Sequence, residues 1–133
     1  MALVCCSVLL SALAFTTRED HMLGTHARDA QRAFTSAERA AWIAFAALVP
    51  ADTAMLPAET RDVPLDPAPA DEARASLTRL AGTVFHAVGE AAVRGHGGAL
   101  LWKRVGILAR LQRDSLGGVS FELLPDRAWA ELP

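Results

Sequence analysis

The chain has 133 residues, of which 52% are hydrophobic and 21% are charged. This length suits one domain, and the composition excludes a highly charged disordered chain. A formal net charge of −2 excludes a general electrostatic attraction to nucleic acid or anionic lipid and leaves only a local basic patch open. The absence of Asn and Tyr and the single lysine, Lys103, indicate a GC-rich genome, so arginine in place of lysine is weak evidence for bidentate recognition.

Residues 1–15 are an apolar N-terminal segment, shorter than the roughly 20 residues of a membrane-spanning helix. Its length and the small residues Ala12 and Ala14 fit a secretory signal, but no basic residue precedes the apolar run. We therefore favour a retained, buried helix and an intracellular protein; export after cleavage, and contact of residues 2–15 with a membrane, are the alternatives. The adjacent Cys5 and Cys6 are interpreted as small buried hydrophobes rather than as a metal or redox site.

Residues 16–49 are predicted to form a helical hairpin region. Gly24 and Thr25 indicate a break and a new helix N-cap, with a short helix over 26–34. A second helix is expected to begin at the motif that starts with Thr35, because its hydroxyl and a glutamate three residues later fit a capping box.

That second helix is apolar on every face and ends before Pro50. A helix of this kind is buried on several sides. We predict that its two aromatic residues, Trp42 and Phe45, contact a partner.

Residues 50–70 contain five prolines among acidic and small residues, which disfavours regular hydrogen-bonded structure. A loop of this length is unusual inside a compact domain. We interpret it as a disordered segment or a surface strap. Residues 71–133, which follow it, are expected to pack with residues 16–49 as one domain.

A long amphipathic helix is predicted over residues 72–94, capped by Asp71. Its apolar residues recur at spacings of three and four, and they are Ala73, Leu77, Leu80, Ala81, Val84, Phe85, Val88 and Ala92. Gly82 and Gly89 lie off this stripe and indicate close approach of another helix backbone. With His86 between them, they are predicted to form part of the partner-binding surface.

A further helix is predicted over residues 99–114, with the cations Lys103, Arg104, Arg110 and Arg113 along one side. The alternating pattern of residues 119–123 then predicts one short strand before the C-terminal tail. The basic stripe is the basis of an alternative function as a nucleic-acid-binding regulator.

Histidines provide a third, weaker hypothesis, a small metal or haem protein. His21 and His26 lie in a segment with several carboxylates, but their spacing of five does not place them on one helical face. His86 and His96 are ten residues apart and match no haem or metal motif. We therefore expect no cofactor.

The elements together predict a mostly α fold, a small helical bundle of four or five helices with one short C-terminal strand. No catalytic motif is present, so a non-enzymatic role is favoured. Residues 2–15 and 40–49 are more apolar than one core stripe per helix requires. We therefore expect a helical subunit or adaptor that binds a protein partner, or another copy of itself, through apolar helix faces.

Overall fold

The computed structural model describes the backbone of residues 2–66, 72–96, 98–113, 115–124 and 130–132, with side chains for 22–66, 72–96, 98–113 and 115–124. The described elements are α1 (Ala2–Ala46), a 3-10 helix (Pro50–Ala54), β1 (Thr60–Val63), β2 (Glu72–Ala81), β3 (Val84–Arg94), β4 (Leu100–Arg113), β5 (Val119–Leu123) and β6 (Ala130–Leu132).

The strands form one antiparallel sheet. Strands β1 to β5 lie side by side in chain order, and β6 pairs with β4 along the edge that β5 also uses. Helix α1 packs against one face, chiefly on β3 and β4. The prediction of a bundle of four or five helices is therefore wrong, since the described residues contain one α-helix and a predominant sheet.

The segment predicted as a long helix, 72–94, is instead the β2–β3 hairpin. Its turn is at Gly82, whose φ of +56° suits glycine, and β2 carries a register irregularity just before it. The helical spacing was misleading because β3 is buried on both faces: Phe85 and Ala87 point to α1, whereas Val88 and Ala92 are buried on the other side. Because odd-numbered and even-numbered residues of β3 are both apolar, the two-residue alternation typical of a strand is not visible in the sequence. The predicted cap, Asp71, lies outside the described residues.

The segment predicted as a basic helix, 99–114, is strand β4. Its odd-numbered residues Val105, Ile107, Ala109 and Leu111 are buried against the helix side, which is the period of a strand. The strand predicted at 119–123 is present as β5 and pairs with the end of β4.

Helix α1 runs through both places where the sequence predicted a helix start. The Thr35 hydroxyl donates to the Gln31 carbonyl at 3.0 Å, and the Thr25 hydroxyl donates to the Met22 carbonyl at 2.8 Å. Both are back-bonds within a continuing helix, so neither threonine acts as a cap. Residues 16–46 therefore belong to one helix rather than to a hairpin.

The proline-rich segment contains ordered structure between residues 50 and 66. Asp52 lies in the 3-10 helix, is 6% exposed, and accepts hydrogen bonds from Arg61 Nε at 2.8 Å and Nη2 at 2.9 Å. Arg61, in β1, also donates to the Ala47 carbonyl at 2.9 Å, beside the C-terminus of α1. These hydrogen bonds of Arg61 connect the end of α1, the 3-10 helix and β1. Residues 67–71 of the segment lie outside the described residues.

The seam between α1 and the sheet is built from alanine and glycine. The buried helix residues are Ala33, Ala37, Ala40, Ala41, Ala44 and, just after the helix, Leu48. Ala37, Ala40 and Ala41 lie closest to Gly89 on β3, where a Cβ atom would lie 2.0 Å from the Ala37 carbonyl oxygen. The two backbones are therefore in direct contact, as the sequence predicted for Gly89, but the glycine is on a strand.

Candidate functional site

The N-terminal part of α1 extends past the sheet. The helix has 45 residues, about 67 Å at 1.5 Å per residue, whereas the longest strand, β4, has 14 residues and spans about 46 Å. Asp29 marks the end of the sheet: its Oδ2 accepts a hydrogen bond from the His96 backbone N–H at 3.0 Å, in the turn after β3. We call residues 2–28 the arm; it is about 40 Å long.

Most described side chains of the arm face solvent. Met22 is 52% exposed and Leu23 is 67% exposed, and His26, Ala27 and Arg28 are exposed as well. The arm backbone continues as helix to Ala2, through the apolar run that the sequence contains at residues 2–15. Among the described residues, no helix has an apolar stretch of the length that spanning a membrane requires.

Trp42 and Phe45 lie on α1 above the sheet. Their rings meet edge to face with centroids 5.7 Å apart, and Trp42 remains exposed. Phe45 is half-buried and packs at the margin of the core. Their role in partner binding stays a prediction, on a surface separate from the arm.

Gly82, His86 and Gly89 do not share the helix flank that the sequence predicted. Gly82 is in the exposed β2–β3 turn, His86 is on the sheet face away from α1, and Gly89 is buried under α1. A partner on one surface cannot contact all three.

His86 lies on the outer sheet face between Thr78 of β2 and Leu108 of β4. Burial lowers its pKa below the ordinary 6.5, and the nearby positive charge of Arg104 lowers it further. Glu90, which pairs with Arg104 at 3.0 Å, faces the same region. The geometry favours a neutral, structural histidine in the sheet.

We expect the free energy of unfolding to decrease as pH falls through 6.5, because the unfolded chain then binds a proton at His86 that the folded chain does not. Above that pH both states are neutral and the penalty is absent. Urea unfolding at pH 7.5 and pH 5 checks this: His86→Gln should lose less stability than the unmodified chain. His26→Gln, on the exposed arm, is the control; equal losses in all three proteins would contradict the expectation.

The predicted basic stripe is divided between two faces of the sheet. Lys103 and Arg113 are odd-numbered, like the residues of β4 that face the helix. Arg104 and Arg110 are even-numbered and lie on the outer face. Arg104 forms the ion pair with Glu90. These cations do not form one basic surface, so the geometry of the described residues does not support a nucleic-acid interface.

The histidine hypotheses gain no support from the described residues. His26 is exposed on the arm, and the side chain of His21 lies outside the description, as do those of Cys5 and Cys6. Among described side chains, no group of three or more His, Cys, Asp or Glu residues is placed to hold a metal ion. His86 and His96 are on different elements, a strand and a turn.

A cleft of about 480 Å³ opens at the end of the sheet opposite the arm. It is bounded by the 3-10 helix, the β2–β3 turn and the end of β4, and its lining residues are Thr53, Arg79, Gly82, Thr83, Phe85, Leu111 and Arg113. The Arg79 guanidinium makes four hydrogen bonds to the backbone carbonyls of Thr53, Met55 and Gly82, at 2.6–3.0 Å. Arg79 thereby holds the 3-10 helix against the hairpin turn.

Sequence reasoning missed Arg61, Arg79 and Asp52. Because the composition favours arginine over lysine throughout, no single arginine indicates a special role. Two of the backbone carbonyls that Arg79 binds are 24 and 26 residues away along the chain. No local pattern encodes such contacts, and Asp52 is one of several carboxylates among the prolines of residues 50–70.

Comparisons with protein-family models, with curated proteins and with solved structures find no match to this chain.

Proposed function

We propose that this protein is a non-enzymatic subunit that binds helical segments of partner proteins, including those of its own copies, through the arm of α1. The observation that carries the proposal is the length of α1, which continues for 27 residues before Asp29, its contact with the end of the sheet. The described side chains of the helix thus divide into a part from Ala33 onward that packs on the sheet and a mostly exposed part, residues 22–28, that can meet a partner.

The arm is not needed to complete the described core. Among the described side chains of α1, the first buried one is that of Ala33, and every described core residue of the helix follows it. The sheet face is covered by this later part of the helix, and residues 22–28 add no buried side chain to it.

The apolar run lies far from that core along the helix axis. Phe15, its last residue, is 14 positions before Asp29, which corresponds to about 21 Å of helix. A helical segment of this composition requires burial, because roughly 25 cal/mol is gained for each Å² of apolar surface removed from water. Helices of other chains satisfy this requirement when they pack at about 8–10 Å between axes.

The composition of the run favours helix–helix contact. Small residues, which let two helix backbones approach closely, occur among the larger aliphatic ones. In the run they are Ala2, Cys5, Cys6, Ser7, Ser11, Ala12 and Ala14.

Association should be measured on the full chain by sedimentation velocity and light scattering in detergent-free buffer. We expect assemblies larger than a monomer, and we expect the double substitution Leu9→Glu and Leu13→Glu to convert them to monomer, because a buried carboxylate without a partner is strongly unfavourable. The melting temperature of the sheet unit should change little, since the arm contributes nothing to the described core.

Leu116→Glu is the matched control. It introduces the same charge at a residue that is 94% exposed in the turn between β4 and β5, and it should leave the assembly intact. A monomeric unmodified chain, or assemblies that persist in the double variant, would contradict the proposal. Flotation with neutral phosphatidylcholine vesicles tests whether the arm binds lipid instead. A chain that stays monomeric and floats with the vesicles would show that the arm binds a bilayer and not a protein helix.

A further inference from the structure

The cleft at the end of the sheet has an unusual charge balance. Elsewhere, the described guanidinium of Arg61 pairs with Asp52, and that of Arg104 pairs with Glu90. Arg79 and Arg113 both line the cleft, and no described carboxylate lies within ion-pairing distance of either one. Two positive charges therefore share one concave site without a described counter-charge.

The hydrogen-bonding capacity of the two arginines differs. A guanidinium has five N–H donors, and Arg79 uses four of them on backbone carbonyls, which leaves one on Nη2. Arg113 is exposed at the end of β4 and opposite Val119, and no described residue accepts a hydrogen bond from its guanidinium, which can therefore make a bidentate contact. The Thr83 side chain, in the adjacent turn, adds a hydroxyl to the lining.

The remaining lining is suited to an organic group. Phe85 and Leu111 are buried residues on the helix-facing side of β3 and β4 and form the apolar base of the cleft. Arg79 is held in place by backbone atoms, so its charge is fixed before any ligand arrives, which reduces the entropy lost on binding. A volume of about 480 Å³ is within the range of small-molecule sites.

We infer that this cleft binds the carboxylate or phosphate group of a small organic anion, with Arg113 as the bidentate donor and Arg79 as the fixed second charge. This site is separate from the arm and does not depend on the association proposed above. Carboxylate and phosphate share the oxygen geometry that a guanidinium recognises, and the choice of probe distinguishes them.

Isothermal titration of the full chain with sodium benzoate and with phenyl phosphate, at constant ionic strength, tests the inference. We expect dissociation constants of about 1 mM or below for at least one probe. Arg113→Gln should weaken binding by about tenfold or more. Arg113→Lys should weaken binding less, because lysine keeps the positive charge but lacks the paired N–H donors of the guanidinium. Arg110→Gln is the matched control, since Arg110 is on the outer face of the same strand opposite Glu122.

A second variant places a carboxylate in the cleft. Thr83→Asp, in an exposed turn position that tolerates aspartate, should abolish binding of both probes while the melting temperature stays near that of the unmodified chain. Tighter binding of benzoate would identify a carboxylate site, and tighter binding of phenyl phosphate a phosphate site. Absence of binding by both probes, or equal binding by the Arg113→Gln and Arg110→Gln variants, would overturn the inference.

Discussion

Replacing Gly89 with alanine is expected to lower the free energy of unfolding by about 3 kcal/mol, the upper end of the range for overpacked cores. The added Cβ atom would lie 2.0 Å from the Ala37 carbonyl oxygen and 2.3 Å from the Ala41 nitrogen. Both atoms belong to the helix backbone, so no side chain can rotate away. Either α1 must move off the sheet or β3 must bend, and both changes disturb contacts along the seam.

Gly24→Ala is the control, and we expect it to raise the free energy of unfolding where Gly89→Ala lowers it. Gly24 is in the exposed part of α1, and nothing lies within 4 Å of the position that a Cβ atom would take there. Alanine should therefore stabilise the helix by about 0.5–1 kcal/mol through its higher helix propensity. Urea denaturation followed by circular dichroism measures both changes. A Gly89→Ala variant as stable as the unmodified chain would show that α1 and β3 are farther apart than described.

Replacing Asp52 with alanine is expected to lower the free energy of unfolding by about 2 kcal/mol, less than the roughly 3–5 kcal/mol of a fully buried pair because the Arg61 side chain is 33% exposed. The substitution leaves the Arg61 guanidinium without its carboxylate. It also removes the acceptor of the Val49 backbone N–H, which lies 2.9 Å from Oδ2. The helix end, the 3-10 helix and β1 then lose their common contact.

The same carboxylate makes stability depend on pH. Burial raises the pKa of Asp52, but the hydrogen bonds from Arg61 and from the Val49 N–H, together with the Arg61 charge, outweigh burial, so the pKa lies below the ordinary 3.8. The contribution of Asp52 is therefore complete above pH 3.8 and is lost as pH falls through 3.8 towards the lower pKa of the folded state. Asp52→Ala should show a smaller acid-induced loss of stability than the unmodified chain.

Asp62→Ala is the matched control, because Asp62 is the next residue after Arg61 on β1 and is exposed. It should change the free energy of unfolding by about 0.5 kcal/mol or less, as expected for surface substitutions. A double-mutant cycle with Arg61→Ala isolates the pair. Additive effects of the two substitutions would show that Asp52 and Arg61 do not act together.

The proposed binding surface was partly predictable from sequence, and the cleft was not. The apolar run 2–15 exceeds what a small core requires, and this excess depends only on composition. The cleft brings together Thr53, Arg79 and Arg113, which are up to 60 residues apart in the chain. Such contacts arise only when β2, β3 and β4 align, and no local spacing encodes them.

The sequence by itself determined where one helix ends and where one strand lies. The helix end predicted before Pro50 agrees with the end of α1 at Ala46, and the alternation at 119–123 is strand β5. These signals are local, since proline cannot continue a helix and alternation reflects one face turned towards the core.

Only the tertiary structure decided whether residues 72–94 and 99–114 are helices or strands. Residues 72–94 and 99–114 are rich in Ala and Leu, which favour helices when isolated, and β3 is buried on both faces, which obscures its period. The backbone hydrogen bonds of a strand form with the neighbouring strands. Strands β2, β3 and β4 therefore stabilise one another, and the sequence of any one segment does not show this. Helix α1 completes that arrangement, because its alanine face packs on the sheet and its backbone lies directly against Gly89.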